Sequence, residues 1–216
     1  MGEHRRTYIP AAGHDLLLPL YDPILKLLGG DKARKALLEQ AEIRPSQRVL
    51  DIGCGTGSLV VLLKRLHPAA EVVGLDTDPK ALARAREKTR RAVVSALFDQ
   101  GFSDALPYPE ACFDRVLSSF MLHHLEPDAK RRTLEEARRV LKPGGSLHVL
   151  DFGGSEHRSD GFLARSLHST RQLPDHFEGR LPELMRESGF ADASEVAHRR
   201  TPVGRIAYYH ARAPGS

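Results

Sequence analysis

The chain has 216 residues, of which 41% are hydrophobic and 28% charged, which suits one globular domain with a sizeable core and excludes a disordered or fibrous chain. Its two cysteines, Cys54 and Cys112, lack paired-ligand spacing, so neither a disulfide framework nor a zinc site is suggested and a reducing cytoplasm is the expected setting. The net charge of +4 and pI near 9.2 raise nucleic acid as a partner, but basic residues such as Arg84, Arg86, Lys88, Arg90 and Arg91 fall in a helical stretch and read as a solvated face.

The N-terminus MGEHRRTY is charged and has no apolar core of signal-peptide length behind it. The leucine-rich stretch Leu16 to Leu28 is broken by Pro19, Asp22, Pro23 and Lys26. Neither export nor membrane insertion is expected, and Arg6 occupies the place where a myristoylation motif starting at Gly2 needs Ser or Thr. Leu16, Leu20, Ile24 and Leu27 recur at helical spacing, so residues 1–40 are read as a helical N-terminal lid with one apolar face.

From residue 45 onward short apolar runs alternate with helical patterns. RVLDIG at 48–53 reads as a strand, Ser58 to Leu66 as a helix, EVVGLD at 71–76 as a second strand, and Pro79 to Arg91 as a helix opened by proline. A third strand is expected at Val93 to Phe98 and a fourth in DRVLSS, 114–119. Asp128 to Leu141 is an amphipathic helix stopped by LKPGG, and SLHVLDFG, 146–153, is a fifth strand. Residues 154–176 form a second lid candidate. A helix from Phe177 to Ser188 closes at Gly189, and ASEVAHRRTP and RIAYYHAR form a hairpin. Five βα units and a hairpin predict one α/β domain over 1–216. It would be a Rossmann-like, doubly wound, mostly parallel seven-stranded sheet with a C-terminal antiparallel hairpin.

The segment VLDIGCGTGSL, 49–59, places Gly53, Gly55 and Gly57 between an apolar strand and a helix N-terminus, where backbone can approach a ligand closely. A dinucleotide loop runs G-x-G-x-x-G, whereas Ser58 stands here in the third-glycine place, and Asp51 would repel a pyrophosphate. S-adenosylmethionine carries a sulfonium and an ammonium and no phosphate, so Asp51 favours it over NAD. At the end of the second strand, Asp76 is placed to accept the ribose hydroxyls.

In this order VLDIGCGTG, GLDTDP, ALPYPEACFDRV, LHHL and RVLKPGG resemble the successive motifs of class I S-adenosylmethionine-dependent methyltransferases. The likeness extends over residues 45–152 and is greatest to the small-molecule branch that includes ubiquinone and menaquinone C-methyltransferases. The resemblance implies that Gly53, Gly55 and Gly57 line the methionine part with Asp51 and Cys54 beside them. It places the ribose at Asp76 with Thr77, and the adenine under DQGFSDALP, 99–107, through Gly101 and Phe102. Ser119 and Phe120 complete the cofactor set. Many relatives have an acidic residue where Phe102 stands, so two readings are open: stacking by Phe102 replaces a hydrogen bond to the adenine, or Phe102 is an ordinary core residue.

Methyl transfer is an in-line displacement that positioning and exclusion of water can accelerate, and a base is needed only when the nucleophile starts protonated. SSFMLHHLEP, 118–127, follows the fourth strand and faces the methyl group, with Phe120 and Met121 as an apolar wall. His123 and His124 are the titratable candidates, and Tyr21 in the N-terminal segment is a third. Tyr8, His14, His157, His168 and His176 lie in the lid segments without a motif. A reactive role for Cys54 is set aside in favour of a small buried loop residue, and no metal is expected. The expected acceptor is a small molecule. Ser118, Ser119, Phe120 and Met121 stand where enzymes acting on base amino groups carry Asn-Pro-Pro-aromatic, so nucleic acid is not expected. A nucleic-acid or protein methyltransferase and a non-catalytic S-adenosylmethionine-binding protein are the alternatives. The oligomeric state is not readable.

Overall fold

A computed structural model describes residues 30–153, 180–201 and 204–215. Its elements are α1 (Gly30–Ala41), β1 (Arg48–Ile52), α2 (Ser58–Leu66), β2 (Glu71–Asp76), α3 (Pro79–Arg91), β3 (Leu97–Gln100) and β4 (Phe113–Ser119). A 3-10 turn (Leu122–His124) leads into α4 (Pro127–Val140), β5 (Leu141–Phe152), α5 (Leu181–Glu187), β6 (Ala191–Thr201) and β7 (Gly204–Arg212). The strands form one seven-stranded sheet in the order β3-β2-β1-β4-β5-β7-β6. The first five strands are mutually parallel, and β7 runs antiparallel between β5 and β6, so the expected architecture is the one observed.

Strand residues alternate between two cores, as a sheet covered on both faces requires. Val49, Val72, Leu117, Leu150 and Tyr208 meet α1, α2 and α3, while Leu50, Val73, Val116, Val149 and Tyr209 meet α4 and α5. Residues 30–40, the end of the segment read from sequence as a helical lid, are helical and pack on the sheet. Leu37 and Leu38 are fully buried there, each worth about 1.5–3 kcal/mol of apolar burial.

Three expectations need correction. The third strand starts at Leu97 rather than Val93, because the chain leaves α3 through a left-handed Val93 (φ 54) that is 91% exposed. No helix joins β3 to β4 among the described residues: 101–112, with Gly101, Pro107 and Pro109, makes turns and a single Phe102–Ala105 bridge. β5 begins at Leu141, directly after α4, and the KPGG residues shift its register on β4 between Phe113 and Arg115. The described part of the helix expected over Phe177 to Ser188 is α5, Leu181–Glu187. Tyr21, with Tyr8, His14, His157, His168 and His176, lies outside the described residues, as do residues 1–29 and the whole of 154–176.

β1 neighbours β4 on one side and β2 on the other, so the chain reverses direction across the sheet between β1 and β4. Ligands of open α/β sheets bind beyond the carboxyl ends of the strands at such a switch point.

Candidate active site

A cavity of about 470 Å³ lies there, and its walls include Asp51, Gly53, Cys54, Gly55, Asp76 and Thr77. Gly101, Phe102, Ser119, Phe120 and His124 complete the part expected from sequence, so most cofactor candidates come together.

The glycine loop is held by β2: the N–H groups of Gly53 and Cys54 both donate to Leu75 O, at 2.8 and 3.0 Å. Its three glycines are left-handed for three different reasons. A Cβ on Gly53 would collide with the Met121 side chain, one on Gly57 would come within 2.9 Å of Ala85 Cβ, and one on Gly55 would meet nothing within 4 Å. Gly55 therefore opens the cavity. Gly57 does not line it, contrary to the sequence expectation, and serves the approach of α2 to α3. Gly57 also precedes the first residue of α2 without a side-chain cap, and Ser58 and Leu59 set the positive end of that helix's dipole on the cavity wall.

Asp76 does more than wait for a ribose. Its Oδ2 accepts from Gly55 N at 2.7 Å and its Oδ1 from Asp78 N at 2.9 Å, tying the loop to the start of α3. Burial raises its pKa despite these N–H donors. Thr77 N adds a third backbone donor, and a carboxylate has about four acceptor sites, so room remains for a ligand hydroxyl. The 99–107 turn is anchored on α4: Glu136 accepts from Leu106 N at 2.7 Å, and Arg139 donates to the carbonyls of Leu106 and Tyr108. Phe102, 36% exposed, projects from that rigid turn into the cavity.

Asp51 is 1% exposed, and neither of its oxygens meets a hydrogen-bond donor among the described residues. Burial pushes its pKa up to about 8, with Arg34 opposing and Asp76 adding to the rise. A buried, unpartnered carboxyl on a cavity wall is costly unless a ligand cation completes it. The sulfonium and ammonium of S-adenosylmethionine fit that demand, and the open side of Gly55 fits its methionine part. Arg34, a buried residue of α1 that also lines the cavity, gave no signal in the sequence because it is one more cation on a polar helix.

The Asp51 carboxyl, with an ordinary value of 3.8 and a folded value near 8, makes a contribution to stability that is complete below about pH 4 and lost as pH rises toward 8. Asp51→Asn should raise the apo protein's melting temperature by roughly 2–4 °C per kcal/mol gained at pH 8 and hardly at all at pH 4. The parent chain should bind S-adenosylmethionine more tightly from pH 6 to 8 with proton release, and the variant should lose that dependence, as calorimetry in two buffers of different ionisation enthalpy would record.

Cys54 is buried, and burial together with Asp51 and Asp76 holds its thiol well above the ordinary value, which suits a packing residue and not a nucleophile. Phe120 closes the end of β4 with φ 56, an unfavourable conformation fixed by its N–H bond to Leu150 O. The two histidines separate in role. His124 lines the cavity, and burial, then His123, lowers its pKa to about 4, so it is neutral near pH 7. His123 does not line it. Its Nδ1 and its backbone N–H both reach the carboxylate of Asp151, at the end of β5. Burial raises the Asp151 pKa, but His123 and the backbone N–H donors outweigh it and hold the carboxyl below its ordinary value. The His123 ring lies 3.9 Å from that of His124 and 4.9 Å from that of Phe152. Asp151 was missed from the sequence because a single Asp ending an apolar strand looks like a cap.

Among the described residues no cluster of three or more metal-binding side chains occurs, and no helix is long and apolar enough to cross a membrane. A profile of the family described as "Methyltransferase domain" matches residues 49–145. The chain is 36% identical over 161 residues to the demethylmenaquinone methyltransferase of Thermus thermophilus, covering 73% of this chain and 72% of that protein. It is 37% identical over 155 residues to the ubiquinone/menaquinone biosynthesis C-methyltransferase of Xanthomonas axonopodis, covering 69% of this chain but 60% of that relative. Among solved structures, YcgJ from Bacillus subtilis superposes with a TM-score of 0.69 at 18% identity, over 86% of this chain and 99% of that one. Phosphoethanolamine N-methyltransferase 2 of Haemonchus contortus, solved with S-adenosylhomocysteine, superposes with a TM-score of 0.75 at 17% identity, over 94% of this chain and 58% of that one.

Proposed function

The chain belongs to the class I S-adenosylmethionine-dependent methyltransferases, and from that premise we propose that it methylates a small acceptor of the quinol type. The observation that carries the cofactor half of this reading is the unpartnered, buried Asp51 carboxyl in the wall of the cavity onto which Gly55 opens. The names of the Thermus and Xanthomonas relatives support the acceptor half. Phe120, Met121 and Leu125 give the cavity an apolar wall suited to an aromatic acceptor rather than a polynucleotide.

When bound, S-adenosylmethionine supplies a methyl group on a sulfonium. Asp51 would face its positive charge, Asp76, which keeps Gly55 in place, would hold the ribose, and Phe102 would cover the adenine. A quinol carries an acidic hydroxyl whose deprotonation raises electron density at the adjacent ring carbon and at oxygen; transfer to oxygen then leaves S-adenosylhomocysteine, and transfer to carbon is completed by loss of that carbon's hydrogen as a proton. We assign removal of that proton to His123, which adjoins the cavity-lining His124: with Asp151 holding the Nδ1 hydrogen, the Nε2 lone pair is the one left to accept it. His124, neutral and next to the His123 ring, orients the acceptor hydroxyl by hydrogen bonding. Transfer of a labelled methyl group should be detected with a reduced 1,4-naphthoquinol lacking the ring methyl, and product mass and NMR would tell carbon from oxygen methylation. Labelling of RNA or protein in place of every quinol and phenol tried would overturn the acceptor reading.

A further inference from the structure

At the opposite ends of the same strands, the amino ends of β4 and β5, lies a second cavity of about 410 Å³ with a strongly polar lining. Strand register builds its floor. Arg115 of β4, Ser146 of β5 and Arg212 of β7 stand side by side in one row, and His148 and His210 are paired in a second row behind them. The C-terminal end of α1 and Arg44 close the other side.

The groups in this cavity are well placed and incompletely satisfied. Arg115 is fixed by bonds from Nε to Ala41 O and from Nη1 to Asp114 O, both 2.9 Å. His148 is 3% exposed. Its Nε2 lies 2.9 Å from the Ser146 hydroxyl, and its Nδ1 has no hydrogen-bond partner. With the hydroxyl donating to Nε2, Nδ1 carries the proton and is a buried donor without an acceptor. No acceptor among the described residues meets the guanidinium of Arg44 or Arg212. The cavity holds four cationic side chains against two carboxylates, and that of Asp114 is already engaged by Lys142 Nζ and Arg48 N.

We propose that this cavity binds a small phosphorylated ligand, its phosphoryl group held by Arg115, Arg212 and the His148 Nδ1–H. Planar guanidinium forks match phosphoryl oxygens, and donors converging from three strands suit a tetrahedral group better than a flat carboxylate. The volume leaves space for a second phosphoryl or a small organic remainder. The local electrostatics point the same way. Burial, then His210 and Arg115, pushes the His148 pKa down to about 3, and burial, then Arg212, lowers that of His210. An anion would relieve that mutual repulsion.

The test is calorimetry of the full chain with inorganic pyrophosphate at low ionic strength, with imidazole NMR signals of His148 and His210 followed in parallel. Saturable binding is expected with both signals shifting, and Arg44→Gln/Arg212→Gln should weaken it at least about tenfold while leaving S-adenosylmethionine affinity unchanged. This outcome does not depend on the methyl acceptor. Arg212→Lys, which keeps charge but loses the fork, should fall in between. Absence of saturable binding, equal binding by the double variant, or tighter binding of single-stranded RNA that grows with its length would each overturn the proposal.

Discussion

Gly55→Val is expected to bind S-adenosylmethionine at least about a hundredfold more weakly than the parent chain while remaining folded. Two effects combine. Gly55 sits at φ 52, and placing a β-branched residue in the left-handed region costs roughly 1–3 kcal/mol. The added side chain would also project into the cavity that Gly55 lines, because no atom beyond its chain neighbours lies within 4 Å of the Cβ position. Gly55→Ala separates the two: it carries most of the backbone cost with little of the bulk, so its melting temperature should fall nearly as far while its affinity falls less. Circular dichroism melts and calorimetric titration of both variants check this. Equal affinities for the parent and Gly55→Val would mean that the loop only packs.

The fold was legible where local pattern and global architecture agree. The run from Arg48 to Leu66 alternates apolar strand, glycine turn and apolar helix, and register on β2 and β4 follows from burial on both faces. The third strand was misplaced because Val93 and Val94 have strand propensity, yet their backbone closes the end of α3 through N–H bonds to Arg90 O and Thr89 O. The three glycines looked equivalent in sequence, and only packing separates a ligand-facing Gly55 from Gly53 against Met121 and Gly57 against Ala85. Arg34 and Asp151 escaped notice for a related reason. Each reaches the site from an element distant in sequence from the motif it serves, and no spacing rule connects them.

The pair made by His123 and Asp151 gives the second large effect. Asp151 accepts three hydrogens on two oxygens: Nδ1 of His123 and N of Phe152 on Oδ1, and N of His123 on Oδ2. Both backbone donors are unambiguous and the carboxyl is held ionised, so the network requires an acceptor-only group and puts the imidazole proton on Nδ1. An amide cannot meet that demand, since either orientation of Asn turns an NH₂ toward at least one donor. Asp151→Asn should therefore lower kcat about ten- to a hundredfold, and His123→Gly about a hundredfold, by analogy with the typical contribution of a positioned base. KM for the acceptor should change far less, and the dissociation constant of S-adenosylmethionine should stay within a few-fold, because neither residue lines the cofactor cavity. Added imidazole should restore part of the activity of His123→Gly and none of that of Gly55→Val. In Asp151→Asn the downfield Nδ1 proton signal of His123 should disappear, a change that general loosening of the fold would not produce alone. If His123→Gly retains the parent kcat on a quinol acceptor, proton removal is left to solvent, and Asp151 is a structural anchor for the 3-10 turn between β4 and α4.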